Sequence, residues 1–197
     1  MKMSLKDVLI DELRDMYSAE NQLVTALPKL AKGAKSSELK ALFTSHLGET
    51  KGQVERLKEV FSILGEKPTG EHCNGMGGVI EEGAEALEKD EEGPSFDSGI
   101  VGAALRTEHY EIAGYEAAID KAKCLGLSDV ASLLTDNLNE EVAAAKKIRA
   151  AAQPIFKEAG RQPDVEKSPK TGKEKYSAKK SIEDEKKAAP ALGKRSA

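Results

Sequence analysis

Four long stretches of the chain repeat their apolar residues at steps of three, four or seven, and each carries an ionisable side chain inside that apolar stripe. Such spacing is the period of an amphipathic helix, whose stripe has to be buried against another element. Four stripes of similar length therefore call for a bundle. The charges on them call for a reason to be there.

The first helix is predicted from a cap at Ser4 to Lys32, with Leu9, Leu13, Tyr17, Val24 and Leu27 on its stripe, Pro28 as the place for a late kink and Gly33 as its stop. Ser36 or Ser37 caps the second, which carries Phe43, Leu47, Val54, Leu57 and Phe61 and ends at Gly65. A glycine-rich segment follows, with Pro68, Cys73, Gly77 and Gly78, then a short helical piece, "VIEEGAEALEK", and the breakers Gly93 and Pro94. Asp97 or Ser98 starts the third long helix, whose stripe holds Val101, Leu105, Ile112, Tyr115 and Ile119 and which ends near Gly126. Ser128 with Asp129 starts the fourth, through Leu134, Leu138, Ala145 and Ile148 to about Ala159. Short links make two antiparallel hairpins, and the crossover between them wires an all-α, antiparallel four-helix bundle with one long connection containing a short helix.

Composition agrees: aromatics are 4% of the chain and there is no Trp, which suits a helical bundle better than a β-sandwich. The 197 residues divide into a bundle over 1–160 and a tail over 161–197. The net charge of -4 hides an asymmetry, because the tail holds 11 Lys or Arg against 6 Asp or Glu. So poor in large apolar residues, the tail is expected to be disordered, with a transient helix around Ile182. Its positive charge allows weak, salt-dependent and sequence-independent DNA binding. Cys73 and Cys124 are too few and too far apart for a disulfide framework or a cysteine metal site, and read as free thiols in a reducing compartment. No apolar run is long enough to span a membrane and no apolar leader opens the chain, so the expectation is a soluble cytoplasmic protein.

At a rotation of about 100° per residue, Glu20 falls within the first stripe and Glu141 within the fourth. Glu108 sits near the centre of the third face and Glu111 at its edge. The second helix offers His46, Thr50 and Gln53 near its centre and Glu49 on its flank. Antiparallel packing brings these mid-helix positions to one level, where carboxylates without neutralisation are costly and take up protons instead. A pair of cations resolves the conflict. Taken singly, Glu111 or Glu49 also reads as a boundary residue whose carboxylate reaches water, and His46 as a hydrogen-bonded histidine. Carboxylate oxygens with one imidazole favour iron, or alternatively manganese, over zinc. Tyr17, Tyr110 and Tyr115 are close enough in sequence to be outer hydrogen-bond donors, though tyrosines on apolar faces are more often packing residues.

The segments "DELRDMYSAENQL", "LFTSHLGETKGQVERL", "CNGMGGVIEEG", "RTEHYEIAGYEAA" and "LLTDNLNEEV" resemble, in that order, the YciE/YciF family of bacterial stress proteins within the ferritin-like superfamily, over about residues 4–150. The resemblance implies a ferritin-like bundle with a dinuclear iron centre, two irons per chain, and a ferroxidase-type reaction of Fe2+ with dioxygen or peroxide. It also implies a small assembly such as a homodimer. Carried over, Glu20 matches the carboxylate of the first helix, Glu49 that of the second and Glu141 that of the fourth. Glu108 and Glu111 resemble the Glu-x-x-Glu of rubrerythrin, with Tyr115 matching the tyrosine that follows. The usual Glu-x-x-His pairs are absent, since Gly52 stands three residues after Glu49 and Ala144 three after Glu141. His46 is available to replace one imidazole, Glu140 or His109 to fill the other place, and Gln53 as a further neighbour. Two rival readings accompany the oxidase: a bundle that holds metal without turnover, and a DNA-protecting stress protein acting through its tail.

Overall fold

Ser4 opens the first helix by a capping box, its hydroxyl accepting from the Asp7 backbone N–H while the Asp7 carboxylate accepts from the N–H of Ser4. That helix, α1, covers Leu5–Gly33 and runs on through Pro28. The computed structural model describes residues 3–161 except 70 and 90–92. Within them α2 covers Ser37–Leu64, α3 Asn74–Glu88, α4 Pro94–Cys124 and α5 Ser128–Ala159. Ser36, rather than Ser37, caps α2, and Gly65 closes it in the left-handed conformation (φ 73°), which a residue lacking Cβ adopts without strain. The basic tail from 162 onward, with its expected disorder, its helix around Ile182 and its DNA reading, lies outside the described residues. Among the described residues no helix is long and apolar enough to cross a membrane.

Two boundaries differ from expectation. The crossover helix α3 begins at Asn74, five residues ahead of the Val79 that opens the expected segment, with Cys73 at its cap. Pro94 does not break the third long helix but starts it, since a proline in the first turn loses no helical hydrogen bond. Asp97 consequently lies inside α4, where its side chain is free to serve a different helix. Its carboxylate accepts from the backbone N–H groups of Lys35 at 2.8 Å and Ser36 at 2.6 Å, tying α4 to the α1–α2 turn. The fourth long helix, α5, starts at Ser128 as expected, with Leu127 at its cap position and no side-chain cap.

In cross-section the order around the bundle is α1, α2, α5, α4, with α3 laid against α1 and α4. The direction of α5 against α2 is plain from their contacts, which descend in one as they climb in the other: Glu49 meets Lys147, Gln53 meets Glu141 and Arg56 meets Asn137. Between α1 and α4 the approach is close, because a Cβ on Gly114 would strike the thioether of Met16.

The apolar interior forms two separate clusters. Leu13, Met16, Leu57, Phe61, Tyr115 and Leu134 belong to one, and Leu23, Leu27, Phe43, Ile100, Ile148 and Ile155 to the other. Burying each large side chain contributes about 1.5–3 kcal/mol. Between the clusters every long helix contributes polar residues instead: Glu20; His46, Thr50 and Gln53; Glu108 and Glu111; Asn137 and Glu141, all buried. The core is thus interrupted at mid-height by one polar layer.

Candidate metal centre

One ligand atom each from His46, Glu108, Glu111 and Glu141 lies within 4.8 Å of every other, and all four residues are buried. His46 projects its Nε2 into the group, 3.4 Å from Glu108 Oε2 and 3.6 Å from Glu141 Oε2. Its Nδ1 points the other way, 3.1 Å from Glu49 Oε2, and the second oxygen of Glu49 accepts from Lys147 at 3.1 Å. A proton held on Nδ1 by Glu49 leaves Nε2 with its lone pair facing the carboxylates, the tautomer a metal ligand requires.

Around this group stand further partners. Gln53 donates its amide to Glu141 Oε1, and Tyr115 donates its hydroxyl to Glu20 Oε1. Among the described residues the buried side-chain atoms without a partner are, apart from Arg14 Nε, all in this layer: Glu20 Oε2, His46 Nε2, Gln53 Oε1, Glu108 Oε2, both oxygens of Glu111 and Glu141 Oε2. Buried polar atoms are seldom left in this state. With the carboxylates ionised and the His46 proton on Nδ1, all are acceptors or lone-pair donors that cannot satisfy one another, whereas hard cations would satisfy them together. The donor set fits such ions.

Without a cation the charges repel. Burial lifts the Glu20, Glu108 and Glu111 carboxyls well above the usual glutamate range, and neighbouring carboxylates add to it, chiefly Glu141 for Glu20 and Glu108, and Glu20 for Glu111. Glu141 is raised by burial too, against a lowering by His46. Burial also pushes Glu49 up, but its bonds with His46 and Lys147 outweigh this and hold it below its usual value.

The sequence also places this centre in a family. The family described as Domain of unknown function (DUF892) matches over residues 4–160. The chain belongs to the DUF892 family. Protein YciF of Escherichia coli is 40% identical over 146 residues, covering 74% of this chain and 88% of YciF. The crystal structure of the Escherichia coli stress protein YciF superposes with a TM-score of 0.76 at 37% identity, over 82% of this chain and all of that one (100%). YcfI from Rhodopseudomonas palustris gives a TM-score of 0.72 at 43% identity, covering 74% of this chain and 93% of its own. A ferritin-like, diiron-carboxylate protein from Bacillus anthracis shares the fold at 17% identity, with a TM-score of 0.58 over 77% of this chain and 99% of that one. This DUF892 chain is therefore a ferritin-like helical bundle with a buried His/Glu cluster at its centre.

Not every residue singled out in the sequence reaches that cluster. Glu20, on α1, faces the same layer through its free Oε2. Glu111, expected at the edge of its face, is only 1% exposed, because the buried stripe of α4 is turned toward Ala104, Glu108, Glu111 and Ala118 and leaves Leu105 and Ile112 half-buried. Glu49 stands behind His46 rather than beside Glu108 and Glu141. Neither candidate for the missing histidine arrives: Glu140 is partly exposed and paired with Arg56, and His109 is exposed beside Arg149 at 2.6 Å. Tyr17 is half-buried and packs edge-on against Phe61, centroids 6.0 Å apart. Tyr110 bonds with Cys73 at 3.0 Å and donates to Asp15 at 2.9 Å, away from the cluster partners.

Asn137 was not among the expected residues, although its position three after Leu134 and four before Glu141 puts it on the stripe of α5. It is fully buried and joins the layer through Tyr115. Arg56 gives no comparable sequence signal, since a lone cation on the flank of a helix is ordinarily solvated.

Proposed function

We propose that this protein is a di-iron carboxylate stress protein that oxidises Fe2+ with peroxide or dioxygen inside the bundle. The observation that carries the reading is the convergence of unpartnered oxygen and nitrogen atoms from all four long helices on one buried layer. Glu20, Glu108, Glu111, Glu141 and His46 would hold the metal. The likeness to YciF, called a stress protein, supports the setting, and the likeness of fold to a diiron-carboxylate protein supports iron.

Iron, when bound, would supply the electrons, one from each of two Fe2+, so that with two protons from solvent a peroxide would be reduced to two waters, or dioxygen to hydrogen peroxide. The chain's own share is electrostatic and steric. Four carboxylates in a layer shielded by apolar clusters above and below favour the higher charge of Fe3+ over Fe2+. Glu49 keeps the proton of His46 on Nδ1, and Tyr115 restrains one oxygen of Glu20. The apolar clusters limit water at the reacting ions.

The test is metal analysis by mass spectrometry after loading with Fe2+ under anaerobic conditions, followed by an absorbance scan on admitting air or peroxide. About two irons per chain and a growing near-ultraviolet ferric absorption are expected. Glu20→Ala or Glu108→Ala should lower bound iron sharply, whereas Glu12→Ala, which breaks a partly exposed pair with Lys121 at 2.7 Å, should not. Equal iron in all three variants, or oxidation no faster than that of free Fe2+, would sink the reading.

A further inference from the structure

A single chain of hydrogen bonds runs from the rim of the bundle to Glu20. Arg56, on α2, donates one guanidinium nitrogen to Glu140 and its Nε to Asn137 Oδ1. Asn137 donates its amide nitrogen to the Tyr115 oxygen at 2.9 Å, and Tyr115 donates to Glu20 Oε1. Arg56 and Glu140 are partly exposed, their side chains at 25% and 33%, while Asn137, Tyr115 and Glu20 are wholly buried. All four long helices take part.

The direction of this chain is forced. Arginine has donors only, so the asparagine must turn its carbonyl oxygen to Arg56 and its NH2 to Tyr115. The tyrosine oxygen accepts there, which leaves its single hydrogen for Glu20. With Oε1 so engaged, Glu20 has one free oxygen, the unpartnered Oε2. With Glu20 ionised, as a metal ligand is, reversing any link would set two donors or two acceptors face to face inside the core.

We propose that Asn137 and Arg56 are positioning residues of the metal centre, which hold Tyr115 as a one-way donor so that Glu20 presents Oε2 alone to the cation. Neither touches the cluster; Asn137 also reaches the Gln53 carbonyl at 3.5 Å, and the proposed route to Glu20 runs through Tyr115. Outer partners that orient a ligand commonly matter about tenfold or more for metal affinity. The inference rests on the cluster being a metal centre, and the experiment separates the two claims.

The full-length chain is labelled with [13Cζ]tyrosine, and the Tyr115 resonance is picked out of the four tyrosines by its loss in Tyr115→Phe. In metal-free protein, Asn137→Asp, which replaces the NH2 donor with an acceptor, should shift that resonance, and Arg56→Met should shift it less. Titration with Co2+ should show affinity reduced about tenfold in Asn137→Asp. In the Tyr115→Phe background the same substitution should add no further loss. An unmoved resonance in both variants overturns the proposal, as does a loss of affinity that persists in full without the Tyr115 hydroxyl. A wild-type chain that takes up no Co2+ also overturns it, together with the metal reading. That outcome is told apart from a failed relay because the resonance would still move.

Discussion

Glu49 grips His46 by the nitrogen turned away from the buried carboxylates, Oε2 to Nδ1 at 3.1 Å. The carboxylate expected from the second helix as a ligand stands where it orients the imidazole instead. Glu49→Ala should weaken metal binding by about tenfold without abolishing it, and Glu49→Gln, which keeps an acceptor, should retain most of the affinity. Glu108→Ala removes a donor from the cluster itself and should cost far more. Anaerobic Fe2+ titration of the three variants measures the ranking, and a Glu49→Ala loss as large as that of Glu108→Ala would return Glu49 to the ligand set.

Proton uptake should make the metal-free fold less stable as pH rises. Glu20, Glu108, Glu111 and Glu141 all hold protons more tightly when buried than in the unfolded chain. The folded state therefore binds the more protons from the ordinary glutamate range upward, and unfolding free energy falls as pH climbs through that window. Glu49, held low, works in the opposite sense and costs stability only on acidification. Thermal unfolding of metal-free protein between mildly acidic and neutral pH should show Tm falling, and a bound divalent metal should remove the fall by displacing the protons. Glu111→Gln takes out a carboxyl with both oxygens unpartnered. It should raise the metal-free stability at neutral pH by about 1–2 kcal/mol. For a chain of this size that is a Tm increase of roughly 2–8 °C, and a decrease would mean that Glu111 is satisfied within the apo fold.

Asp97→Ala should loosen the joint between the two hairpins. Both carboxylate oxygens accept from backbone N–H groups at the α1–α2 turn, and the residue is 3% exposed. A negative charge there also sits at the N-terminus of α2, where the helix dipole favours it. The loss should be about 2 kcal/mol, since water can reach part of the turn. Denaturant unfolding measures it. Asp97→Asn, which keeps one acceptor, should recover part, and an unchanged midpoint in Asp97→Ala would show that the joint is held by apolar packing instead.

Much of the bundle was legible because helical periodicity, caps and stops are local. Ser4, Ser36 and Gly65 mark ends that depend on a few neighbouring residues, and they stand where expected. Proline and aspartate at the start of α4 misled because Asp97 binds the α1–α2 turn across the fold, a use that no local pattern reveals. The stripes were read within about one residue of rotation. Tyr17, Val24 and Ile112 lie at the margins, with Met16, Leu23 and Glu111 at the centre.

By itself the sequence determined that Glu20, His46, Glu108 and Glu141 share the inner side of four helices, because a fixed turn per residue carries each side chain to a known face of its own helix. Only the tertiary structure decided which atom of each residue meets which partner. A rotation too small to change a helical face moved Glu111 from the edge to the centre. The direction of one imidazole made Glu49 a support, and contacts between α2, α4 and α5 joined Asn137 and Arg56 to Tyr115. Faces follow from covalent geometry along one helix, whereas hydrogen-bond partners depend on how closely and at what height two helices meet.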